Sequence, residues 1–205
     1  MLNPLFLDPM FHDIPPKILS RMAYLEEVDA RDRKKIISKL KRLRQIPPES
    51  GQFLALTARF APAGKMIEIG TSAAYSTLWL SLAAKERDQK IESFEVLIEK
   101  YNLALETVKV TETQDYIHVN FGNAMELLDT IEEIAFCFLD AEKEDYKEFY
   151  NLIIPKMVKG GIFLADNVVS HYKDVKPMLD IALQDPRVDA IIVPIGKGIL
   201  MCRVI

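Results

Sequence analysis

From Lys65 onward the apolar residues gather into seven short runs: KMIEI (65–69), KIESFE (90–95), YIHVN (116–120), IAFCFL (134–139), GIFLAD (161–166), DAIIVPI (189–195) and ILMCRVI (199–205). Their length and their β-branched and aromatic content predict strands. Between the first six lie segments 73–87, 98–112, 123–132, 145–158 and 173–184, each long enough for a helix. Alternation of this kind predicts an α/β chain, a parallel sheet with helices on both faces. The runs are continuously apolar, as strands buried on both faces are. The last pair is different. Only Gly196-Lys197-Gly198 separates them, whereas a parallel crossover needs about a dozen residues, so the C-terminal strand should run antiparallel to its neighbour. Upstream, residues 14–62 read as helical throughout, punctuated by Pro47-Pro48 and Gly51.

Length and composition fit one globular unit: 205 residues, 49% hydrophobic and 27% charged. The expected division is a helical cap over 1–46 and a single compact domain over 47–205. No run of about 18 apolar residues occurs, so no membrane span is predicted. The stretch MLNPLFLDPMFHDIPP lacks a basic leader region and does not read as a signal peptide, which makes a cytoplasmic location the expectation. Cys137 and Cys202 fall in apolar strand runs and should be buried, reduced thiols. No Cys/His zinc pattern is present.

The net charge of −4 hides an asymmetry. Residues 31–44, RDRKKIISKLKRLR, carry eight Lys/Arg against Asp32, which leaves −11 for the rest. Ile36, Leu40 and Leu43 recur at helical spacing, predicting an amphipathic helix with a basic face. That face is either solvated or a contact surface for an anionic partner such as RNA.

Ligands of open α/β sheets bind beyond the carboxyl ends of the strands, so the chemistry is sought there. After the first strand, EIGTSAAYS (68–76) offers a tight turn at Gly70 and hydroxyls at Thr71, Ser72 and Ser76. The dinucleotide fingerprint with three glycines is missing, and Glu68 is placed to attract an ammonium group, directly or through water. Glu95, ending the second strand, suits both hydroxyls of a ribose; Glu92 competes from mid-strand, where an edge position is expected. In FGNAMELL (121–128), Gly122 permits close approach, while Asn123 reads either as a contact to an adenine edge or as an N-cap. Asp140 ends the fourth strand, and Asp166 with Asn167 ends the fifth. If those strands are neighbours, two carboxylates and an amide oxygen converge, a hard donor set for Mg²⁺, Mn²⁺ or Ca²⁺; otherwise they are separately capped strand ends. Lys143 follows Asp140 closely and reads as a general base, an orienting charge or a surface ion pair. His12 and His118 are expected to be structural. His171 follows Asp166-Asn167 closely enough to reach the substrate side.

Taken together, several stretches resemble one family. PPESGQFLALTARFAPAGKMIEIGTSAAYSTLWLS, FEVLIEKYNLA, FGNAMELL, FLDAEKEDYKEFY, GGIFLADN and PIGKGILMCRV occur in the order and spacing of the cation-dependent O-methyltransferases of the catechol and caffeoyl-coenzyme A type. The resemblance runs from about Pro47 to the C-terminus. It implies a Rossmann-like class I methyltransferase fold: a seven-stranded, mostly parallel sheet with an antiparallel C-terminal hairpin, plus N-terminal helices. It implies S-adenosylmethionine as cofactor, with Glu68, Gly70, Thr71 and Ser76 at its methionine part, Glu95 at the ribose, and Gly122, Asn123 and Ala124 flanking the adenine. Asp140, Asp166 and Asn167 would be metal ligands, Asp140 also lying near the cofactor's amino end, and Lys143 would deprotonate or steer the accepting hydroxyl.

Three positions depart from the family pattern. Ala74 stands where Gly is usual, Asn123 where Asp is usual, and VVSHYKD follows the metal pair in place of an aromatic or Arg followed by Gly. The implied acceptor is a small catechol-like aromatic. A hydroxylated uridine of transfer RNA is the alternative, given the basic stretch 31–44; a nucleotide-binding oxidoreductase is a more distant one. The N-terminal helices are expected to cap the acceptor pocket or to form a dimer contact, and a homodimer is the expected assembly.

Overall fold

A computed structural model describes residues 11, 13–34 and 42–205. The seven strands are β1 (Lys65–Ile69), β2 (Ile91–Glu95), β3 (Ile117–Phe121), β4 (Ile134–Leu139), β5 (Met157–Ala165), β6 (Val188–Val193) and β7 (Ile199–Val204). The helices are α1 (Pro16–Lys34), α2 (Pro48–Arg59), α3 (Tyr75–Glu86), α4 (Ile98–Thr111), α5 (Ala124–Leu127), α6 (Tyr146–Ile153) and α7 (Tyr172–Ala182). Strand order is β3-β2-β1-β4-β5-β7-β6. The first five strands pair in parallel, and β7 is antiparallel to both β5 and β6. The expected hairpin is therefore present, with β7 inserted between β5 and β6. Burial explains the choice: β4 is buried along its whole length and belongs at the centre, whereas β6 exposes Asp189 and Ile191 and tolerates the edge.

Period-two alternation sends neighbouring residues of a strand to opposite faces. From β4, Phe136 and Phe138 enter a core with Leu54, Leu78, Met22 and other residues of α1 to α4. Cys137 and Leu139 enter the opposite core with Tyr146, Tyr150 and Met178. Both cysteines are buried and unpaired, and burial pushes the Cys202 thiol up to about 12. Among the described residues no helix is long and apolar enough to cross a membrane.

Four expectations need correction. Residues 14–62 are not helical throughout, because residues 43–47, ahead of α2, form no helix and Arg44 takes a positive φ of 55°. Pro47 and Pro48 disfavour a helix before them, and Pro48 opens α2 at the position where proline is tolerated. Gly51 does not punctuate: it lies inside α2, where a Cβ would run into the Trp79 indole. Of the helix expected over 31–44, residues 31–34 belong to α1, residues 42–44 are not helical, and residues 35–41 lie outside the described residues. Finally, β5 starts at Met157, four residues before the expected strand; Gly160, at φ 81°, sits within a register irregularity against β4 rather than ending a loop.

Candidate active site

The chain lays β2 and β3 on one side of β1, then crosses to lay β4 and β5 on the other. The crevice this opens lies at the carboxyl ends of β1 and β4. Gly70 closes the floor. Its φ is 98°, and a Cβ there would collide with the backbone carbonyl of Asp140. Gly70→Ala should therefore displace the β4 loop, lowering cofactor affinity at least about 10-fold and stability by about 2 kcal/mol. Calorimetric titration with S-adenosylhomocysteine, the product form of the cofactor that the resemblance implies, and a denaturant midpoint would check both. Beyond Gly70, Ser72 and Ala74 also take positive φ, at 48° and 66°; for Ala74 that conformation costs about 1 kcal/mol.

Glu68 does not line the crevice. Its carboxylate is fully buried and accepts from Ser76 Oγ at 2.6 Å, Thr77 Oγ1 at 2.5 Å and Ser93 Oγ at 2.6 Å. Burial outweighs those three donors and pushes the carboxyl up to about 7. Of the two routes to a ligand ammonium left open for Glu68, its burial leaves only an indirect one; Ser76, which it fixes, does line the crevice.

Glu95 is the last residue of β2. It is buried at the cleft wall, with Oε2 accepting from Ser72 N at 2.8 Å and Oε1 from Leu97 N at 2.9 Å. Each oxygen keeps a free lone pair for a further donor. Asn123 is both a cap and a wall: its Oδ1 accepts from Met125 N at 3.0 Å, and with Gly122 and Ala124 it lines the cleft. Glu92 lies on an interior strand, not at the edge, and is occupied by His118 at 2.7 Å and Asn120 at 2.8 Å.

The acidic residues converge. Asn167 Nδ2 donates to Asp140 Oδ1 at 2.9 Å and to Asp166 Oδ2 at 2.8 Å. Lys143 Nζ donates to Asp140 Oδ1 at 2.7 Å, to the Ala141 carbonyl at 2.9 Å and to Tyr146 Oη at 2.7 Å. These three acceptors fill the valence of an ammonium. Asp166 is fully buried, and its Oδ1 has no hydrogen-bond partner. Burial, then the charge of Asp140, pushes its carboxyl up to about 7. An orphaned buried carboxylate oxygen beside a second carboxylate and an amide fits a hard divalent cation. Ligation by Asn167 requires its amide turned so that Oδ1 faces inward. Among the described residues no group of three or more His, Cys, Asp or Glu could hold a metal. A cation here would accordingly keep positions open for oxygens of a bound molecule.

The cleft has a volume of about 570 Å³. Its lining includes Glu95, Gly122 and Asn123 from the β2–β3 side of the sheet and Asn167, His171 and Lys197 from the β5–β7 side. His12 lies outside the described residues. Two features escaped the sequence reading. The segment before α2 straps the mouth: Arg44 pairs with Glu142 in a fork-to-fork bridge, and Ser72 Oγ donates to the Leu43 carbonyl at 2.9 Å. Lys100, in the first turn of α4, is buried at the same wall, and desolvation pushes its ammonium down.

This sheet order, with an inserted antiparallel last strand and ligand loops after β1, β2 and β4, is the Rossmann-like fold of methyltransferases. Residues 20–205 match the family model described as O-methyltransferase, and the chain belongs to that family; it is an S-adenosylmethionine-dependent O-methyltransferase. The chain is 30% identical to caffeoyl-CoA O-methyltransferase 1 of Eucalyptus globulus, over 76% of this chain and 72% of that one. The caffeoyl-CoA O-methyltransferase of Medicago sativa is 29% identical with the same coverage. The same fold is found in an O-methyltransferase from Bacillus cereus in complex with SAH (TM-score 0.76, 20% identity, 98% of this chain and 94% of that one). It recurs in a SAH-bound methyltransferase of Podospora anserina (TM-score 0.76, 21% identity, 95% and 90%).

Proposed function

We propose that this enzyme transfers the methyl group of S-adenosylmethionine to one hydroxyl of a small catechol-like aromatic, assisted by a divalent cation held by Asp140, Asp166 and Asn167. The observation that carries the reading is the meeting of Asp140, Asn167 and Lys143 at the cleft wall, with the buried Asp166 directly behind them, bonded to Asn167. In this reading Glu95 holds the ribose, and Gly122, Asn123 and Ala124 flank the adenine. Gly70, Thr71 and Ser76 frame the methionine part near Asp140, with Glu68 fixing Ser76 from behind. A divalent cation, if held by Asp140, Asp166 and Asn167, would bind oxygens of the acceptor and lower the pKa of the hydroxyl to be methylated.

The chain's own groups do the rest. The hydroxyl proton passes to buffer as the acceptor binds; Lys143 exchanges one of its three acceptors for the resulting oxyanion and steers it, and the oxygen–methyl bond forms as the carbon–sulfur bond breaks, leaving S-adenosylhomocysteine. Positioning of the two reactants provides much of the rate gain. The strap at Arg44 and Leu43 keeps water from the reacting atoms. The transfer RNA alternative rests on the basic stretch 31–44. Among its described residues Arg33 is paired with Asp29 and Arg44 with Glu142; the small aromatic acceptor is adopted on the strength of the acidic cluster in the cleft.

Incubation with S-adenosylmethionine and 3,4-dihydroxy aromatics should give products heavier by one methyl group in the mass spectrum. Rings with a single hydroxyl should react about 100-fold more slowly, having lost one oxygen of the vicinal pair. Equal turnover of both would contradict the proposed acceptor.

A further inference from the structure

The Gly196-Lys197-Gly198 turn between β6 and β7 is clamped from two sides. Gly196 has φ 55° and abuts Ser50 and Pro47 at the start of α2; Gly198 has φ 86° and abuts Val169. The turn is also tied to the loop that leaves β5. Val168 N donates to the Gly198 carbonyl at 3.0 Å, and Val169 N and Ser170 N both donate to the Lys197 carbonyl at 3.1 Å. Lys197 is therefore presented from a fixed backbone, beside the residues that carry Asp166 and Asn167. Its side chain lines the acceptor end of the cleft, one strand beyond Asp166, and makes no hydrogen bond or ion pair among the described residues. Its charge reaches Asp166, whose carboxyl it draws down against the larger effect of burial. His171, the N-cap of α7, lines the same end; Ser170 Oγ occupies its Nδ1 at 2.9 Å, which leaves Nε2 for a ligand. Asp174 also lines this end, in the first turn of α7 where the helix dipole favours an acid.

A lysine on a pinned turn, lining a ligand cleft with no acid in hydrogen-bond reach among the described residues, suits an anion that arrives with the ligand. We propose that Lys197, assisted by His171, forms an anion subsite at the acceptor end, so that the preferred acceptor carries a carboxylate on its hydroxylated ring. The inference rests on the methyl-transfer reading above and specifies the substrate class within it.

The test compares 3,4-dihydroxybenzoate with its methyl ester, which keeps both hydroxyls and removes the charge. Two readouts are taken: initial rates with S-adenosylmethionine, and dissociation constants by calorimetry on protein loaded with S-adenosylhomocysteine. The native protein should favour the benzoate about 10-fold or more in kcat/KM, mostly through KM, and in affinity. Lys197→Ala and Lys197→Gln should bring both ratios to within about 2-fold, Lys197→Glu should invert them, and Lys197→Arg should retain part of the preference. A native protein indifferent to the charge would overturn the subsite. So would a preference that survives in Lys197→Ala, because the carboxylate is then held elsewhere. Methyl transfer to neither compound would strike the methyl-transfer reading itself, and the subsite with it.

Discussion

Asp140→Ala should lower kcat/KM for methyl transfer by about 10³-fold while leaving the protein folded. Asp140 Oδ1 is the one atom that receives both Lys143 and Asn167, at 2.7 and 2.9 Å. Without it the ammonium loses its anchor, and the amide that bridges the two acids loses one end. The backbone has independent support, because Asp140 N donates to the Ile69 carbonyl at 2.9 Å and Gly70 packs on the Asp140 carbonyl. The side chain faces the cleft, and its charge raises the carboxyls of both Asp166 and Glu68. Removing it relieves repulsion, so thermal stability should hold or rise slightly. Asp140→Asn keeps the shape and should lose about 10²-fold. Steady-state rates and a melting curve on the same samples decide the matter; a rate within about 10-fold of the native protein would remove Asp140 from the reaction centre.

The largest stability effect is expected at Glu68. Glu68→Ala would leave the hydroxyls of Ser76, Thr77 and Ser93 without their buried acceptor and open a cavity beneath β1, at a cost of about 3–5 kcal/mol. The near-isosteric Glu68→Gln exposes the electrostatic part. In the folded chain the carboxyl is raised from 4.5 to about 7, so the native state holds a proton that the unfolded chain gives up. The stability this contributes is full below the unfolded value of 4.5, declines as pH rises, and is gone above about 7. At about 1.4 kcal/mol per pKa unit, the span is roughly 3 kcal/mol. Glutamine does not titrate. Its stability relative to the native protein should therefore improve by about that amount between pH 4.5 and 8, a difference in which the titration of Asp166 cancels. Urea midpoints across this range would show it, and parallel pH profiles would contradict the buried acid.

The strand-end acids show how far a sequence reading reaches. The convergence of Asp140 with Asp166 and Asn167 was legible only on the condition that their strands are neighbours: both are buried, continuously apolar runs, but alternation alone does not make consecutive strands adjacent, as β3 and β4 show. Glu95 was legible as a strand-end residue: as the last residue of β2 its carboxylate stays at the rim. Glu68 sits one residue before the end of β1, and strand parity turns it into the layer below, where Ser76, Thr77 and Ser93 enclose it. Nothing local to EIGTS reveals Ser93, which another strand brings in. The hairpin was forced by a three-residue turn, but turn length says nothing of which strand lies at the edge; the exposed Asp189 and Ile191 of β6 decide that. The pairing of Arg44 with Glu142 joins residues far apart in the chain and leaves no periodic trace. Gly51 looked like a breaker because glycine is a poor helix former; only the packing of Trp79 against its bare Cα explains it.

The cation is the centre of the account, and its removal is the most direct test. Initial rates of methyl transfer to 3,4-dihydroxybenzoate should fall at least about 10²-fold in EDTA and recover when Mg²⁺ or Mn²⁺ is added in excess. Asp166→Ala should show neither the rate nor the recovery. A rate that survives EDTA, or that persists in Asp166→Ala, would contradict the assignment of Asp140, Asp166 and Asn167 as the seat of a catalytic metal.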